Sequence, residues 1–404
     1  MRMDALVVGV GMTRFGKHLE RSIKSLASEA VTAALADAAI SVDDVDAAFS
    51  GNAVAGVMTG QEMIRGQVVL NPLGFGNIPI VNVENACATG STALHQACAL
   101  VTAGMYDVAL VVAFEKLYDQ DKQRSLAAYG GGVDVEQVMA MLAQAREGIS
   151  DGGPSRSVFM DFYASAARAH MEEFGTTVEQ IAGVSVKNSH HGSLNPRAQF
   201  QERLTLEEVL GAPTIAAPLT RPMCSPIGDG AAAAIVMSPA KAASLGLEST
   251  AVRVAACELR SGRTDATESD AAQSAVRAAY ECAGLGPEDL DVVELHDASA
   301  PAEIIAYSTL GLCGPGEGGK LISDGATCLG GRLPVNTSGG LLRKGHPIGA
   351  SGLAQVVELT DQLRGRAGDR QVADARVGLA HNAGGTIGDD VAAACITILQ
   401  RHAR

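Results

Sequence analysis

Short apolar runs bounded by turn residues alternate along the chain with longer stretches whose apolar positions recur at helical spacing. The runs at residues 6–10, 45–50, 107–114 and 231–237 predict buried strands, and the Ala-rich stretch at 25–39 predicts a helix. The pattern resumes near Ala251, with strands at 252–256 and 292–295, helices at 270–283 and 301–310, and strands at 376–380 and 391–399. Residues 30–46 (AVTAALADAAISVDDVD) align without a gap on residues 275–291 (AVRAAYECAGLGPEDLD), pairing Ala33 with Ala278 and Asp46 with Asp291. Each copy reads as helix, turn, acidic pair and strand. A spacing that long implies duplicated domains rather than a solenoid, and the order of elements predicts an α/β fold with helices on both faces of a sheet.

Between residues 115 and 220 the texture changes to more charge and more glycine, including Gly130–Gly132 and the DGGP at Asp151 to Pro154. Long inserts in compact domains are often functional, which suggests a lid or substrate-contacting subdomain. The expected domains are 1–240, carrying this insertion, and 250–404. Within the insertion, KNSHHGSLNP at 187–196 reads as a polar loop whose adjacent histidines point apart. The Gly-rich stretch 313–331 reads as a surface connection. Met58, Met63 and Ile64 in the 51–77 segment are either packing or dimer-contact residues.

Candidate chemistry starts at VNVENACATGSTAL, residues 81–94, where Cys87 falls between the end of a strand and a helix of small residues running to Thr102. A helix N-terminus favours thiolate over thiol, while the plainer role for a free cysteine is core packing. A parallel segment, LRKGHPIGASG at 342–352, reads as a helix beginning near His346 and places His346 three residues before Gly349, as Cys87 precedes Gly90. His346 there is either a base, since imidazole titrates near neutrality, or a satisfied core histidine. His296 ends a strand and can donate to an oxyanion or orient a water; Asp297 fixes its tautomer or caps the next helix.

With 404 residues, a net charge of −14 and 47% hydrophobic content, the chain is globular and disfavours nonspecific binding to nucleic acid or anionic membranes. Eight cysteines without a CxxC pair or zinc-like spacing point to no metal. No stretch approaches a membrane span, and the N-terminus does not read as a signal peptide, so a cytoplasmic location is expected. GVGMTRFG near the N-terminus lacks the third glycine of a dinucleotide loop.

The VNxxNxCATGSTAL stretch, ELHDAS at 294–299, NTSGGLLRKGHPIGASG at 336–352 and HNAGG at 381–385 together resemble the thiolases, above all the sterol-carrier-protein-2 type. The resemblance covers nearly the whole chain. It implies duplicated αβα halves in a five-layered αβαβα architecture with an inserted loop domain over the acyl-CoA, and assembly as a homodimer or dimer of dimers. It also implies coenzyme A and acyl-CoA as substrates, no permanently bound cofactor, and in some relatives a small OB-fold zinc-binding partner. By the same resemblance Cys87 is the acylated nucleophile, and His346 takes its proton and helps hold the thioester oxygen. His296 stands where other thiolases have an Asn, the Gly384 N–H joins that of Cys87 in an oxyanion hole, and Ser225 contacts the pantetheine arm. The chain departs from the pattern at the second thiol, because both family positions for it carry other residues, Asn382 and Ala298. The implied reaction is cleavage of a 3-oxoacyl-CoA by CoA, or the reverse condensation. A retro-aldolase acting on a CoA ester and a non-catalytic subunit are the alternatives.

Overall fold

The structure, a computed structural model, describes residues 3–136, 157–264 and 270–402. The DGGP segment and the last two residues lie outside these, as does part of the 115–220 insertion. Eleven strands are described: β1 (Ala5–Met12), β2 (Ala47–Gly51), β3 (Ile80–Val83), β4 (Val108–Glu115), β5 (Thr214–Ala216), β6 (Leu219–Thr220), β7 (Gly230–Met237), β8 (Val252–Ser261), β9 (Val292–Glu294), β10 (Val377–Ile387) and β11 (Asp390–Arg401). Nine of them form one sheet in the order β3-β2-β4-β7-β1-β8-β11-β10-β9. The two duplicated halves meet where β1 pairs antiparallel with β8, so their sheets are hydrogen-bonded into one.

Strand alternation sorts side chains into layers. Leu6, Val8, Leu110, Val112 and Ile235 face an outer core with helix Ile23–Ala38. Val7, Val111, Val236, Val254, Cys395 and Leu399 face a central core with helices Thr89–Thr102 and Ser351–Leu363. Val293, Leu379, Ile396 and Ile398 face a second outer core with helices Ala271–Ala283 and Ala300–Thr309. Five layers result, as expected, with the two central helices sandwiched between the half-sheets. Helix Ser351–Leu363 is buried along its whole length.

The repeated segment folds alike in both halves. Helix Ile23–Ala38, the 3₁₀ turn Val42–Asp44 and β2 correspond to helix Ala271–Ala283, the turn Pro287–Asp289 and β9. The aligned aspartates also do the same work: Asp46 accepts the N–H groups of Asp107 and Val108 at the start of β4, and Asp291 accepts those of Arg376 and Val377 at the start of β10. Each satisfies the otherwise unpaired donors that open a strand. The glycines of GVGMTRFG serve packing. A Cβ on Gly9 or Gly11 would lie 2.4 Å from the carbonyl oxygen of Ala34 or Ala30, so they let β1 seat closely on the first helix.

Three local expectations are corrected. KNSHHGSLNP is not a loop, since most of it belongs to helix Val178–Ser193, opened by a Thr177/Gln180 capping box. Its polar residues misled because they are buried with partners: Lys187 on Glu303 at 2.7 Å, Asn188 on Asp297 and Glu303, and His191 between the Asn336 carbonyl and the Leu329 N–H. The two histidines do diverge, with His190 exposed and His191 buried. Residues 313–331 contain a short helix, Gly318–Ser323, whose Ile322 packs on Gly183 of that longer helix. The helix expected to begin near His346 is two helices, Gly340–Lys344 and Ser351–Leu363, with His346 between them. Among the described residues no helix is long and apolar enough to cross a membrane.

Candidate active site

Cys87 lies in a 3₁₀ turn, Ala86–Ala88, between β3 and helix Thr89–Thr102. Local hydrogen bonds set the turn: the Ala86 N–H on the Glu84 carboxylate at 2.6 Å, the Asn85 N–H on the Thr89 hydroxyl at 2.9 Å, and that hydroxyl on the Ala86 carbonyl at 2.7 Å. They hold Ala86 in the left-handed region at φ 48°. Such backbone strain in a non-glycine residue clusters at functional sites.

Elements of both halves converge on the sulfur. Cys87 Sγ and one ring nitrogen each of His296 and His346 all lie within 4.8 Å of one another. The two imidazoles meet edge to face, with ring centres 5.3 Å apart. Gly384, on β10, packs against the Cys87 turn: a Cβ there would stand 2.4 Å from the Asn85 oxygen and 2.5 Å from the Ala88 nitrogen. The backbone N–H groups that favour the charged sulfur are those of Cys87 itself and of the next residue on β10, Gly385, at φ 63°. Ser225, half-buried, donates its N–H to the Ala298 carbonyl on the loop that carries His296. The structure thus gathers Cys87, His296, His346 and Gly384 at one place and sets Ser225 against the His296 loop.

Hydrogen bonds distinguish the two histidines. The Ser351 hydroxyl donates to the Pro347 carbonyl at 2.9 Å, so its contact with His346 Nδ1 at 2.7 Å is accepted from the ring. His346 Nδ1 therefore carries the proton, and Nε2 is free to accept one. Asn382 takes the Ser91 hydroxyl on its oxygen at 2.8 Å and gives its amide to His296 Nδ1 at 3.1 Å. His296 is thereby an Nε2–H donor. The two imidazoles have opposite polarity, one accepting and one donating.

The thiol does not behave as its position beside a helix start suggested. Burial, reinforced by the Glu115 and Glu84 charges, pushes Cys87 up to about 12, against the backbone N–H groups of Cys87 and Gly385. Burial, with the Lys344 charge, pushes His346 down to about 3. His296 is also driven well below its usual range, first by burial and then by its neighbours His346 and His381. At neutral pH the resting pair is a thiol facing a neutral imidazole rather than a thiolate–imidazolium pair. The cause is desolvation, which outweighs the favourable dipoles of the turn.

Asp297 does cap a helix, but not the one that follows it. Its carboxylate accepts the Leu341 N–H at 2.7 Å and the Leu342 N–H at 3.4 Å, at the start of helix Gly340–Lys344, and takes Asn188 as a third donor. One carboxylate thus ties the His296 loop to the segment leading into His346. Around the sulfur, Val54, Met58, Leu117, Ala128 and Ile348 form an apolar cluster against which Cys87, Tyr129 and Ile227 pack. Tyr129 comes from the insertion, as does Tyr163, and the thiolate charge raises both phenols further after burial. The same Cys-His-His trio is a donor set of the kind borderline divalent ions take, which the spacing of cysteines and histidines gave no reason to expect.

Ser351, Gly385 and Glu115 had no site role assigned from the sequence, and Ser91 stood there only as one of the small residues beside Cys87. Only Glu115 left a trace in the pattern, as a lone carboxylate ending a continuous apolar strand.

Comparison with known proteins agrees with this architecture. Residues 5–240 match the thiolase N-terminal domain, and residues 255–401 match the thiolase C-terminal domain-like family. The chain is 40% identical to the acetyl-CoA acetyltransferase of Methanothermobacter thermautotrophicus over 95% of its own length and 97% of the relative's. It is 40% identical to bovine sterol carrier protein 2, covering 95% of this chain and 70% of that one. Among solved structures, an Ltp2-ChsH2(DUF35) aldolase superposes with a TM-score of 0.77 at 26% identity, covering 98% of this chain and 97% of the other. With two family domains in tandem and relatives of this similarity along nearly its entire length, the chain belongs to the thiolase family, on the sterol-carrier-protein-2 side of it, and is an acyltransferase.

Proposed function

We propose that the protein exchanges acyl groups between a 3-oxoacyl-CoA and coenzyme A through an acyl-Cys87 intermediate, in either direction. The observation that carries this reading is the juxtaposition of the Cys87 sulfur with a histidine whose free nitrogen accepts and a second whose free nitrogen donates. In the cleavage direction His346 Nε2 takes the thiol proton as Cys87 Sγ attacks the 3-oxo carbon. The oxyanion that develops is met by backbone N–H groups of the Cys87 turn and of the Gly384-Gly385 strand. Collapse breaks the bond between the α- and β-carbons and leaves an enolate thioester, whose oxygen is held by His296 Nε2–H. His346, now protonated, returns the proton to the α-carbon, releasing acetyl-CoA when that carbon carries no substituent. Free CoA then gives its thiol proton to His346 and attacks the acyl-Cys87 thioester, and the proton passes back to the departing sulfur. One histidine serves both half-reactions, which fits a site with Ala298 and Asn382 where a second thiol is expected.

The apolar cluster of Val54, Met58, Ala128 and Ile348 beside the sulfur supports an apolar acyl group. The hydrogen bond from the Ser225 N–H to the Ala298 carbonyl, beside His296, supports a contact with the pantetheine arm. The edge strand β3 supports homodimer formation through the N-terminal half: Val81 on it is 40% exposed, and Met63 and Ile64 nearby are 74% and 60% exposed. Mass spectrometry of the protein incubated with 3-oxoacyl-CoA tests the reading. An acyl adduct on Cys87, lost in Cys87→Ala together with CoA-dependent cleavage, is expected; a fully active Cys87→Ala protein lacking any adduct would sink it.

The aldolase neighbour favours a second reading, retro-aldol cleavage of a CoA ester. It predicts an aldehyde or ketone product formed with no consumption of free CoA. The intact Lys344–Pro347 segment, with His346 facing the sulfur, favours acyl transfer.

A further inference from the structure

Glu115, the last residue of β4, is fully buried and lies 61 residues or more along the chain from each group it binds. Its Oε1 accepts the Asn52 side-chain amide at 2.9 Å and the Val54 N–H at 3.2 Å. Its Oε2 accepts the Ala53 N–H at 3.1 Å and, from the other half of the chain, the Gly349 N–H at 3.0 Å. Gly349 belongs to the 3₁₀ turn Ile348–Ala350 that directly follows His346 and Pro347. The fit there is close on both sides. A Cβ on Gly349 would stand 2.9 Å from Glu115 Oε2, and a Cβ on Gly90 of the Cys87 helix would stand 2.8 Å from the Gly349 oxygen. The Gly349 residue is therefore gripped by a carboxylate at its N–H and by the Cys87 helix at its carbonyl. Val54 and Ile348, whose backbones Glu115 holds or borders, are both walls of the apolar cluster around Cys87.

We propose that Glu115 is a positioning residue for acyl transfer: its carboxylate bridges the two halves and seats the His346 turn against the Cys87 turn. The inference rests on the acyl-transfer reading above. A carboxylate suits the task because four donors converge on it and none of its oxygens has to donate in return. A glutamine cannot replace it, since its amide nitrogen would face donors. Burial pushes Glu115 up to about 7, against the N–H groups of Val54, Ala53 and Gly349 and the Arg65 charge. The charged and titratable groups that feel it are Arg65, whose guanidinium holds the Asn52 and Ala53 carbonyls from the far side, together with the Cys87 thiol and the Tyr129 phenol.

The test compares wild type with Glu115→Gln, Glu115→Asp and Gly349→Ala by steady-state kinetics, thermal melting and the pH dependence of Cys87 alkylation by iodoacetamide. In folded Glu115→Gln, kcat should fall by about ten- to a hundredfold, the usual cost of sub-ångström to ångström misplacement, while KM changes little. Its alkylation profile should move to lower pH because a negative charge beside the thiol has gone. Glu115→Asp should keep the wild-type alkylation profile and recover part of kcat. Gly349→Ala should lower kcat without moving the profile, and it decides the matter if Glu115→Gln fails to fold. A folded Glu115→Gln with wild-type kcat, or with a lowered kcat and an unmoved alkylation profile, overturns the inference, as does a Gly349→Ala protein of full activity. Failure of the wild type to acylate Cys87 would instead strike the acyl-transfer reading itself.

Discussion

Replacing Gly384 by alanine adds one methyl group at the point where β10 touches the Cys87 turn. The new Cβ would lie 2.4 Å from the Asn85 oxygen, 2.5 Å from the Ala88 nitrogen and 3.0 Å from the Ala88 Cβ, where ordinary contact begins at 3.4 Å. The two nearest neighbours are backbone atoms and the third is a methyl fixed to the backbone, so no flexible side chain can swing away. The turn has to withdraw from the strand by about 0.9–1.0 Å to reach ordinary contact. Overpacking of this kind costs about 1–3 kcal/mol of stability. A displacement near 1 Å between reacting groups costs about 10²-fold in rate, so acylation of Cys87 should slow by about that factor while the protein still folds. Rapid-quench mass spectrometry of the acyl-enzyme measures the rate, and a melting curve on the same sample reports the folding cost. Wild-type acylation together with an unchanged melting temperature would refute the claim that Gly384 is required for close approach.

Alkylation of resting Cys87 by iodoacetamide should climb roughly tenfold per pH unit through the alkaline range, because a thiol pushed up to about 12 has little thiolate to offer at neutrality; a plateau reached below about pH 8 would instead mean a thiolate–imidazolium pair. Asn382→Asp turns the donor facing His296 Nδ1 into an acceptor at nearly constant shape. The His296 proton should then move from Nε2 to Nδ1, visible by ¹⁵N NMR, and kcat should fall by about 10²–10³, the loss expected for one oxyanion donor; an unchanged tautomer contradicts the assignment. For folding, Glu115 has its carboxyl raised from 4.5 to about 7. The native state therefore holds that proton more tightly than the unfolded chain, so this contribution is present in full below pH 4.5 and is lost as the pH rises through about 7. It amounts to about 3 kcal/mol at most. The stability difference between wild type and Glu115→Gln, followed by denaturant melts across this window, should shift against wild type as pH rises; no pH dependence would discount the raised carboxyl. Val81→Asp on the exposed edge strand should turn a dimer into a monomer in light scattering, and an unaltered mass would place the interface elsewhere.

Much of the fold was legible because the signals are local or repeated. Strand and helix periodicity located β1, β4, β7 and both long central elements, and the ungapped match of Asp46 with Asp291 marked two copies of one unit. Cys87, His346 and His296 were legible as residue types in small-residue turns. Their motif spacing was a poorer guide than it looked. By element, the Cys87 turn Ala86–Ala88 corresponds to Ile348–Ala350, so Cys87 is the counterpart of Gly349, and His346 lies three residues earlier. The matched pair Gly90 and Gly349 turned out to mark a contact between the halves rather than equivalent positions.

Polar residues inside the fold were the main source of error. Lys187, Asn188 and His191 read as loop because polarity along a chain usually means solvent, and they are buried because Glu303, Asp297 and Asn336 come to them from a segment more than a hundred residues away. The same holds for the chemistry. The amino-acid sequence by itself determined which elements form, that they form twice, and which side chains end the strands at the centre of the molecule. Tertiary structure alone decided that one imidazole is an acceptor and the other a donor, that Glu115 grips the far half, and that the thiol rests protonated. Those properties depend on how much water is excluded and which partner stands within hydrogen-bond reach, and both are set by distances through space that a linear pattern does not encode.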